Sequence, residues 1–478
     1  MNDALSEREI VSESNLHKAL ISNLGSFCTL EARPAINMGP QEVEQVVGAW
    51  RAGMDRQASR LARSAINTLA ALPVGCLYEC LGDKSWQAAA QICEVFRNPQ
   101  VSKNAGRLDT RALQRKVHEA LARDEHINLV LGWGQPKRSA GGLKTLGSFA
   151  DLAEMYAIRR LLIIVRAVSQ LVRRPVGMIV LTGSSRFFEA LFTRPNVGQA
   201  YDAQRQMIAD TLGRKGTLSF RPYSDLSGDG SRSVVIDARE QRFRDSLAVV
   251  TDEMILSKFG TVLLNIDWEH LFALDPMQRH HAPHGIQLPP SIEAWLRGRD
   301  ETACSRLIRA AIVSLISPER QSDWIASFEG EDVFEVALSF VQSVAWESTR
   351  KYIALHLIDS SDEATSILNA AQGANVLRLT VHQKRDRRDV PAIFTLGPGG
   401  GNLLAQHVLA CVLKRDAIVF ESYAELQQRD AAAVYLRPVN NQFVYPLFGW
   451  LAPAQQPLCF VEAGCDTLKL LCEAGGVQ

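Results

Sequence analysis

Two loops of the sequence combine cations, hydroxyl groups and glycines directly after short apolar runs. The first loop spans residues 136–144 and the second spans residues 182–188. Their polar side chains include Arg138, Ser139, Lys144, Ser184, Ser185 and Arg186. Cations and hydroxyl groups bind phosphate or carboxylate through charge-assisted hydrogen bonds, and small residues let a ligand approach the backbone. Each loop is therefore a candidate anion-binding site, and the alternative for each is a solvated basic turn.

Two acids open a predicted helix, and a histidine is a candidate for proton transfer. Asp151 and Glu154 stand near the start of a predicted helix, where capping and the helix dipole account for both without a further role. His382 closes the apolar run VLRLTVH. A histidine at the end of a buried strand titrates near working pH and can act as a general acid or base. The charged residues 383–389 that follow are typical of a solvated loop.

Phosphate and metal motifs are weak in this chain. The glycine-rich turn 397–402, placed before a predicted helix over 403–413, lacks the lysine of a P-loop and the spacing of a dinucleotide fingerprint. Cys76 and Cys80 have no second ligand pair at a suitable distance, so they are expected to be core thiols. The densest group of His, Asp and Glu lies in 267–284, but its spacing matches no metal motif. We expect no metal and no other cofactor, with a metal site at 267–284 as the minority hypothesis.

The elements that would position these residues are those of an α/β fold. Short apolar runs predict strands at 127–134, 176–183, 218–226, 375–382, 391–396, 417–423 and 459–464. Helical periodicity predicts helices at 150–172, 197–212, 237–260, 291–315 and 331–356. Strand, helix and strand in succession form a βαβ unit with parallel strands, and ligands bind at the carboxyl ends of such strands. We therefore expect an α/β fold with a mostly parallel sheet flanked by helices.

The N-terminal quarter of the chain has a different pattern. Residues 1–125 are rich in Ala and Arg at helical spacing and contain no strand-like run, which predicts a helical N-terminal arm. Residues 126–478 would form the α/β body. A polar stretch at 224–233 marks a candidate boundary within that body.

Composition excludes several classes of partner. The 478 residues contain 52 basic and 52 acidic side chains, so no overall charge attracts nucleic acid or an anionic membrane. Hydrophobic residues make up 46% and charged residues 22%, as in a folded globular protein. No apolar run is long enough to span a membrane, and the polar start lacks the features of a secretory signal. Nine irregularly spaced cysteines fit a reducing compartment. We expect a cytoplasmic protein.

Three stretches resemble, in the same order, the motifs of the pyoverdine/dityrosine biosynthesis family, whose best-known members are isocyanide synthases. PKRSAGGLKTLGSFADLAEMYAI is similar to the family's P-F-K-S-P-N-P-x-K-V-L-G-x-L-P-D-x-G-E-x-x-A-L. GSSRFFEAL resembles S-D-G-R-V-F-x-D-L, and LRLTVH resembles I-R-L-S-I-H. The similarity spans about residues 125–415. The matching polar residues are Ser139, Lys144, Asp151, Glu154, Arg186, Arg378 and His382.

The resemblance implies a function and roles for these residues. It implies a Rossmann-like fold and a free amino acid substrate, usually tyrosine or tryptophan. The amino group would become an isocyanide, ribulose 5-phosphate would supply the carbon, and no metal or redox cofactor would be needed. Catalytic roles would fall to His382, Arg186, Glu154 and Asp151. Substrate would bind to Arg138, Ser139, Lys144, Ser184, Ser185 and Arg378.

The chain also departs from the family pattern. Arg138 replaces a lysine, and an arginine stays protonated, so it cannot act as a base or form an imine. Gly183, Ser184 and Ser185 replace Ser-Asp-Gly, which removes a carboxylate. We therefore expect a divergent enzyme of siderophore-type specialised-metabolite biosynthesis that modifies the nitrogen of an amino acid.

Several alternatives stay open. One is formation of a nitrogen–nitrogen bond, giving a diazeniumdiolate-type amino acid, from an N-hydroxylated arginine-like substrate. A second is a non-catalytic scaffold that binds a biosynthetic enzyme through the helical arm. A third is a metal-dependent oxygenase built on residues 267–284. The expected partners are an amino acid and a sugar phosphate, together with either a second copy of the chain or another enzyme of the pathway.

Overall fold

Two larger β-sheets with helices packed against them, together with a two-stranded antiparallel ribbon at 444–445 and 450–451, make up the described strands, so the chain is an α/β protein. The computed structural model describes residues 35–71, 84–122, 127–133, 150–182, 189–192, 195–222, 232–263, 266, 271, 333–359, 376–381, 388–397, 410–415, 417–421, 431–436, 444–445, 450–451 and 458–474. In chain order the elements are β1 (Ala35–Met38), α1 (Pro40–Ala70), α2 (Lys84–Arg97), a 3₁₀ turn (Ala105–Arg107), α3 (Thr110–Ala122), β2 (Asn128–Gly132), α4 (Leu152–Val172), β3 (Gly177–Thr182), α5 (Pro195–Leu212), β4 (Leu218–Pro222), α6 (Arg232–Val249), α7 (Asp252–Leu263), α8 (Val333–Asp359), β5 (Val376–Leu379), β6 (Ala410–Lys414), β7 (Ala417–Glu421), β8 (Ala431–Leu436), β9 (Val444–Tyr445), β10 (Trp450–Leu451), β11 (Cys459–Glu462) and α9 (Thr467–Ala474).

The first sheet is fully parallel and has the strand order β4-β3-β2-β5. Helix α4 connects β2 to β3, and α5 connects β3 to β4, so the predicted βαβ unit is confirmed. The central strands are apolar because both of their faces are covered. Leu129, Val130 and Leu131 of β2 are each no more than 2% exposed. Such continuous apolar runs are typical of buried parallel sheets.

The second sheet is mixed and has the order β1-β8-β11-β6-β7. Strand β1 pairs parallel to β8, and β11 pairs parallel to β6, while the β8–β11 and β6–β7 pairs are antiparallel. Two of these strands differ from prediction. β1 lies in the arm that was predicted to be mostly helical and to contain no strand-like run, and β6 occupies residues 410–414, at the end of a predicted helix. In both cases pairing with neighbouring strands outweighs local helix propensity.

Helix α4 is buried on nearly every side. From Leu152 to Val165 all but one of its residues are buried, and it contacts α1, α2, α5 and β6. A helix that is apolar all round belongs in a protein interior. The two buried charged residues of this stretch, Glu154 and Arg159, are therefore carried into the core.

The arm helices α1 and α2 pack onto α4. Helix α1 begins at Pro40, a residue preorganised for the first helical position, and presents an apolar stripe that includes Trp50 and Met54. The indole Nε1 of Trp50 donates a hydrogen bond to the carbonyl of Leu471 in α9 at 2.8 Å. Residues of α1, α2 and α3 share one hydrophobic core with the body. A domain boundary near residue 125, and one near 224–233, stay predictions.

A group of three helices forms a smaller layer. Helices α6 and α7 both contact α8. The predicted single helix over 237–260 is in fact two helices, because Thr251 caps α7 and accepts a hydrogen bond from the backbone N–H of Met254 at 3.3 Å.

The predicted helix at 291–315 lies outside the described residues. The predicted strand at 391–396 contributes only single bridges, at Ala392 and Ile393. No helix in the described part of the chain is both long enough and apolar enough to cross a membrane.

Candidate functional site

The carboxyl ends of the parallel strands meet at one edge of the sheet, here named the carboxyl edge. Gly132 of β2 pairs with Leu181 of β3, and Leu131 pairs with Leu379 of β5. The chain runs from β2 through β3 to β4 on one side and adds β5 on the other, so the strand order reverses between β2 and β5. Ligands of open α/β sheets bind at this edge, beside such a reversal. The carboxyl edge is therefore the candidate site.

The three predicted sites follow strands that end at the carboxyl edge. Residues 136–144 come after β2, residues 183–188 after β3, and His382 after β5. The side chains predicted to act there lie outside the described residues, and they are Arg138, Ser139, Lys144, Ser184, Ser185, Arg186 and His382. Their roles stay predictions. What the fold supplies is a common edge from which all three segments begin.

Asp151 is the N-cap of α4. Its Oδ1 accepts hydrogen bonds from the backbone N–H groups of Ala153 and Glu154 at 3.0 and 3.2 Å. An aspartate in this position satisfies amides that the helix cannot pair and stabilises it by about 0.5–2 kcal/mol. The capping interpretation of Asp151 is thus confirmed, whereas its predicted catalytic role stays a prediction.

Glu154 forms a fully buried ion pair with Arg205 of α5. Arg205 donates from Nε to Oε1 of Glu154 at 2.9 Å, and neither side chain is exposed to solvent. Glu154 lies in the first turn of α4, next to the carboxyl edge, because α4 begins after the loop that leaves β2. The acid that the sequence identified therefore has a cationic partner that the sequence did not identify.

Asp202 and Thr182 extend this pair to the end of β3. Arg205 donates from Nη1 to Oδ1 of Asp202 at 3.2 Å, and the hydroxyl of Thr182 donates to Oδ2 of Asp202 at 2.7 Å. Thr182 is the last residue of β3. We name Glu154, Asp202, Arg205 and Thr182 the edge cluster. It places two carboxyl groups and one guanidinium group at the carboxyl edge.

Aromatic rings surround the guanidinium group of Arg205. Its central carbon lies 4.3 Å from the ring centre of Tyr201, 5.6 Å from Trp133 and 5.8 Å from Phe220. Trp133 directly follows β2, and Phe220 lies in β4. Rings hold a desolvated cation through their negative faces, each by about 0.5–2 kcal/mol. The rings also exclude water, which strengthens the electrostatic interactions of the edge cluster.

Burial shifts the ionisation of the edge cluster. Burial raises the pKa of Asp202, and repulsion from Glu154 adds to this, while the charge of Arg205 and the hydrogen bond from Thr182 oppose it. Burial disfavours the charged form of Arg205, but the negative charge of its neighbours outweighs burial and raises the pKa of Arg205. Arg205 therefore stays cationic. With both acids ionised, the edge cluster carries one excess negative charge.

Three buried polar atoms around Arg205 have hydrogen-bonding capacity left. Oε2 of Glu154, Nη2 of Arg205 and Nε1 of Trp133 make no hydrogen bond to any part of the chain that the structure describes. A buried polar group without a partner costs about 1–3 kcal/mol, and more when it is charged. One acceptor and two donors thus remain for a ligand that carries both a donor and an acceptor.

The end of β5 is held by the N-terminal arm. Lys103, in the loop between α2 and α3, donates from Nζ to the carbonyl of Val381 at 2.9 Å. Val381 immediately precedes His382 in the sequence. Arg378, predicted to bind substrate, is half-buried in β5 opposite Val130 of β2. Its predicted role stays a prediction.

Asp202 and Arg205 were missed by the sequence reasoning, although a signal was present. The inward stripe of α5 includes Tyr201, Arg205, Ile208 and Leu212, all buried and spaced by three or four residues. An arginine in the middle of an otherwise apolar stripe requires a buried acid. That rule predicts a partner for Arg205 but does not say which acid it is.

The described residues hold no group of three or more His, Cys, Asp or Glu side chains placed to bind a metal ion. The segment 267–284 is outside this part of the chain except for Leu271, and so are Cys76 and Cys80. The glycine-rich turn is described only at Gly397. The hypothesis of a metal site at 267–284 is thus untested.

Comparison with known proteins yields a distant likeness of fold. No protein-family model and no curated protein sequence matches the chain. Among solved structures, the chain is similar to the PvcA protein from Pseudomonas aeruginosa, with 15% sequence identity and a TM-score of 0.42 over 78% of this chain and 99% of that one. So distant a likeness does not establish a shared activity.

Proposed function

We propose that this protein is a biosynthetic enzyme of specialised metabolism that modifies the nitrogen of an amino acid bound at the carboxyl edge. The observation that carries the proposal is the edge cluster, in which the buried carboxylate of Glu154 and the partly exposed carboxylate of Asp202 share one buried guanidinium group. The three stretches that resemble isocyanide synthases support it, since two of them follow strands that end at this edge and the third runs from β5 past its end.

The charge of the edge cluster suits a cationic nitrogen. A buried charge needs a counter-charge, and Arg205 supplies only one for Glu154 and Asp202. The ammonium group of an amino acid would supply the second by donating to Oε2 of Glu154. The carboxylate of the same molecule would accept from Nη2 of Arg205 and Nε1 of Trp133. A zwitterion therefore fits the remaining donors and acceptor: each of its charged groups would meet an opposite charge, while the net charge of the site stays at one negative.

Asp202 is suited to move a proton from that nitrogen. An ammonium group has no lone pair and must lose a proton before the nitrogen can form a new bond. A carboxylate whose pKa is raised by burial accepts a proton more readily than an exposed one. Asp202 would take the proton, Thr182 would orient its carboxylate, and Arg205 would hold the substrate in place.

The reaction that follows has two candidate forms. In the first, the amino acid becomes an isocyanide, with ribulose 5-phosphate supplying the carbon and Arg138, Lys144 and Arg186 binding the phosphate. In the second, a nitrogen–nitrogen bond would form in an N-hydroxylated arginine-like substrate as the N–O bond breaks and its oxygen leaves as water, so the N–O bond supplies the oxidising equivalents. The second is favoured by the replacement of Ser-Asp-Gly with Gly183, Ser184 and Ser185. In both forms the amino acid substrate would be bound at the edge cluster.

Product analysis by mass separates these forms. Purified protein would be incubated with ¹⁵N-labelled tyrosine, tryptophan, arginine and their N-hydroxy derivatives, each with and without ribulose 5-phosphate. We expect one of them to give a product that retains the label and has a new bond at that nitrogen. Dependence on the sugar phosphate would identify isocyanide formation. The matched control is Glu154→Gln, which keeps the side-chain shape but removes the charge. Conversion by neither protein, with the wild type folded, would overturn the proposal.

A further inference from the structure

We propose, on the premise of the function proposed above, that Lys103 and Asn104 of the N-terminal arm are positioning residues for the carboxyl edge. These residues belong to the loop between α2 and α3, far in sequence from every stretch that resembles isocyanide synthases. The loop contacts the end of strand β5 and the segment 388–397, which comes back to the sheet after β5 and is here named the returning chain. The arm is then part of the catalytic unit rather than an appendage.

Lys103 fixes the last described residue of the β5 segment. Its Nζ donates to the carbonyl of Val381 at 2.9 Å, and it also lies 5.8 Å from the ring centre of Phe394. Lys103 is half-buried, so this bond is shielded from water. A charged donor bonded to a carbonyl is stronger than a neutral one, and it restrains the backbone just before His382.

Asn104 fixes the returning chain with both ends of its side chain. Its Nδ2 donates to the carbonyl of Val390 at 2.9 Å, and its Oδ1 accepts from the backbone N–H of Ala392 at 2.9 Å. Asn104 is 5% exposed, and Ala392 is 1% exposed. Since both backbone groups are buried, they have no water to replace the asparagine.

Backbone hydrogen bonds join the same two segments. The N–H of Lys103 donates to the carbonyl of Ala392 at 2.6 Å, and the N–H of Phe394 donates to the carbonyl of Val101 at 2.9 Å. The returning chain in turn pairs with the end of β5. Thr380 donates to the carbonyl of Pro391 at 3.0 Å and accepts from the N–H of Ile393 at 2.8 Å. A continuous path of hydrogen bonds therefore runs from the arm through residues 390–394 to Thr380.

Arg160 links this path to the core. From helix α4 it donates to the carbonyl of Gln100 at 2.6 Å and to that of Phe394 at 3.4 Å. The same helix carries Glu154 of the edge cluster six residues earlier. The end of β5 and the edge cluster are thus both fixed to one rigid helix, and this arrangement can hold two reacting groups in register.

The test compares Lys103→Met and Asn104→Ala with a matched surface variant, Lys116→Met. Lys116 also contacts the returning chain, through Asp389 at 2.6 Å, but 55% of its side chain is exposed, so its loss is expected to have little effect. Lys103→Arg keeps the cation and serves as the conservative rescue. Hydrogen exchange would be followed at residues 376–381 and 388–397, and kcat and KM would be measured with the amino acid that the wild type converts.

In Lys103→Met and Asn104→Ala we expect faster exchange at the amides of Thr380 and Ile393, with exchange in β2 and β3 unchanged. We expect kcat to fall by about ten- to a hundredfold with KM within about threefold, because a displacement of about 1 Å at a reacting group has an effect of that size. Lys103→Arg should restore most of kcat. Unchanged exchange, or faster exchange with unchanged kcat, would overturn the inference.

Failure of the proposed function is distinguishable from failure of this inference. If the wild type converts no amino acid in the panel, the proposed function fails. The same variants are then compared by hydrogen exchange and by the amount of pathway product in cells that carry them. Faster exchange together with reduced product would support the positioning role, and normal product would overturn it.

Discussion

Arg205 donates from Nε to Oε1 of Glu154 at 2.9 Å with both side chains fully buried. The two residues lie on helices that flank β3 in the sequence, so the ion pair joins both crossovers of the parallel sheet. The pair also lies next to the end of β3, where Thr182 and Asp202 complete the edge cluster. Stability and chemistry therefore depend on the same side chains, and substitutions at each of them separate the two effects.

Removal of the buried cation should destabilise the fold strongly. Arg205→Met leaves the charge of Glu154 buried without its partner, which costs about 3–5 kcal/mol in the free energy of unfolding. The double variant Glu154→Leu with Arg205→Met should recover part of that loss, since no buried charge remains at that position. Urea unfolding measures both values.

The control for this prediction is an ion pair whose arginine is exposed to solvent. Arg97 bonds to Glu94 at 2.7 Å, but 44% of its side chain is exposed. Arg97→Met should therefore cost less than about 1 kcal/mol. Equal costs for Arg97→Met and Arg205→Met would contradict the assignment of a buried pair.

Asp202 should make stability depend on pH in a defined direction. Since its pKa is raised, the folded protein binds a proton more tightly than the unfolded chain does. The free energy of unfolding therefore falls as pH rises from the ordinary pKa of an aspartate to the raised value, and it is level above that value. Asp202→Asn removes the titration, so its stability relative to wild type should increase across that window. A series of urea unfolding curves at several pH values measures this, and a difference that does not change with pH would contradict it.

Thr182 should tune the activity profile of Asp202. Its hydroxyl lowers the pKa of Asp202 by donating to the ionised form at 2.7 Å. In Thr182→Val that hydrogen bond is lost, so the acid limb of kcat/KM should move to higher pH. Thr182→Ser keeps the hydroxyl and should keep the wild-type limb. If the Thr182→Val and Thr182→Ser variants give the same pH profile of kcat/KM, Asp202 is not the group whose ionisation limits the rate.

Gly213 should tolerate no side chain. A Cβ at this position would lie 2.8 Å from Cδ2 of Leu162 and 2.9 Å from the carbonyl oxygen of Ala209. The backbone atom cannot move aside easily, so Gly213→Ala should cost about 1–3 kcal/mol. Gly106→Ala is the matched control, because nothing lies within 4 Å of its added Cβ. Thermal unfolding of the two variants compares them directly, and similar midpoints would contradict the packing of α5 on α4.

The parallel sheet was predictable because its strands carry their own signal. The runs ending at Gly132 and Thr182 are continuously apolar, which local sequence reveals and burial on both faces explains. Strand β1 gave no such signal, since four residues are too few to show a period. Strand β6 was predicted as the end of a helix because its Ala, Val and Leu suit either state until a neighbouring strand pairs with them.

The site was predictable only in part, because its partners are far apart in the sequence. Glu154 was identified through its place in a motif, but its partner Arg205 lies 51 positions later in the sequence. No local period links two residues on separate helices. The role of the arm was equally hidden, because the contact from Lys103 to Val381 spans 278 positions. Long-range partners of this kind require the fold itself.

The pairing of β1 with β8 has a consequence for how the protein is made. Ala35 is opposite Ala433, so this pair closes a loop of about 400 residues. During synthesis the first strand emerges long before its partner exists, and the mixed sheet stays incomplete until β11 has also emerged. Until then its apolar strands are exposed to other chains. We expect folding to be slow and to depend on chaperones during translation.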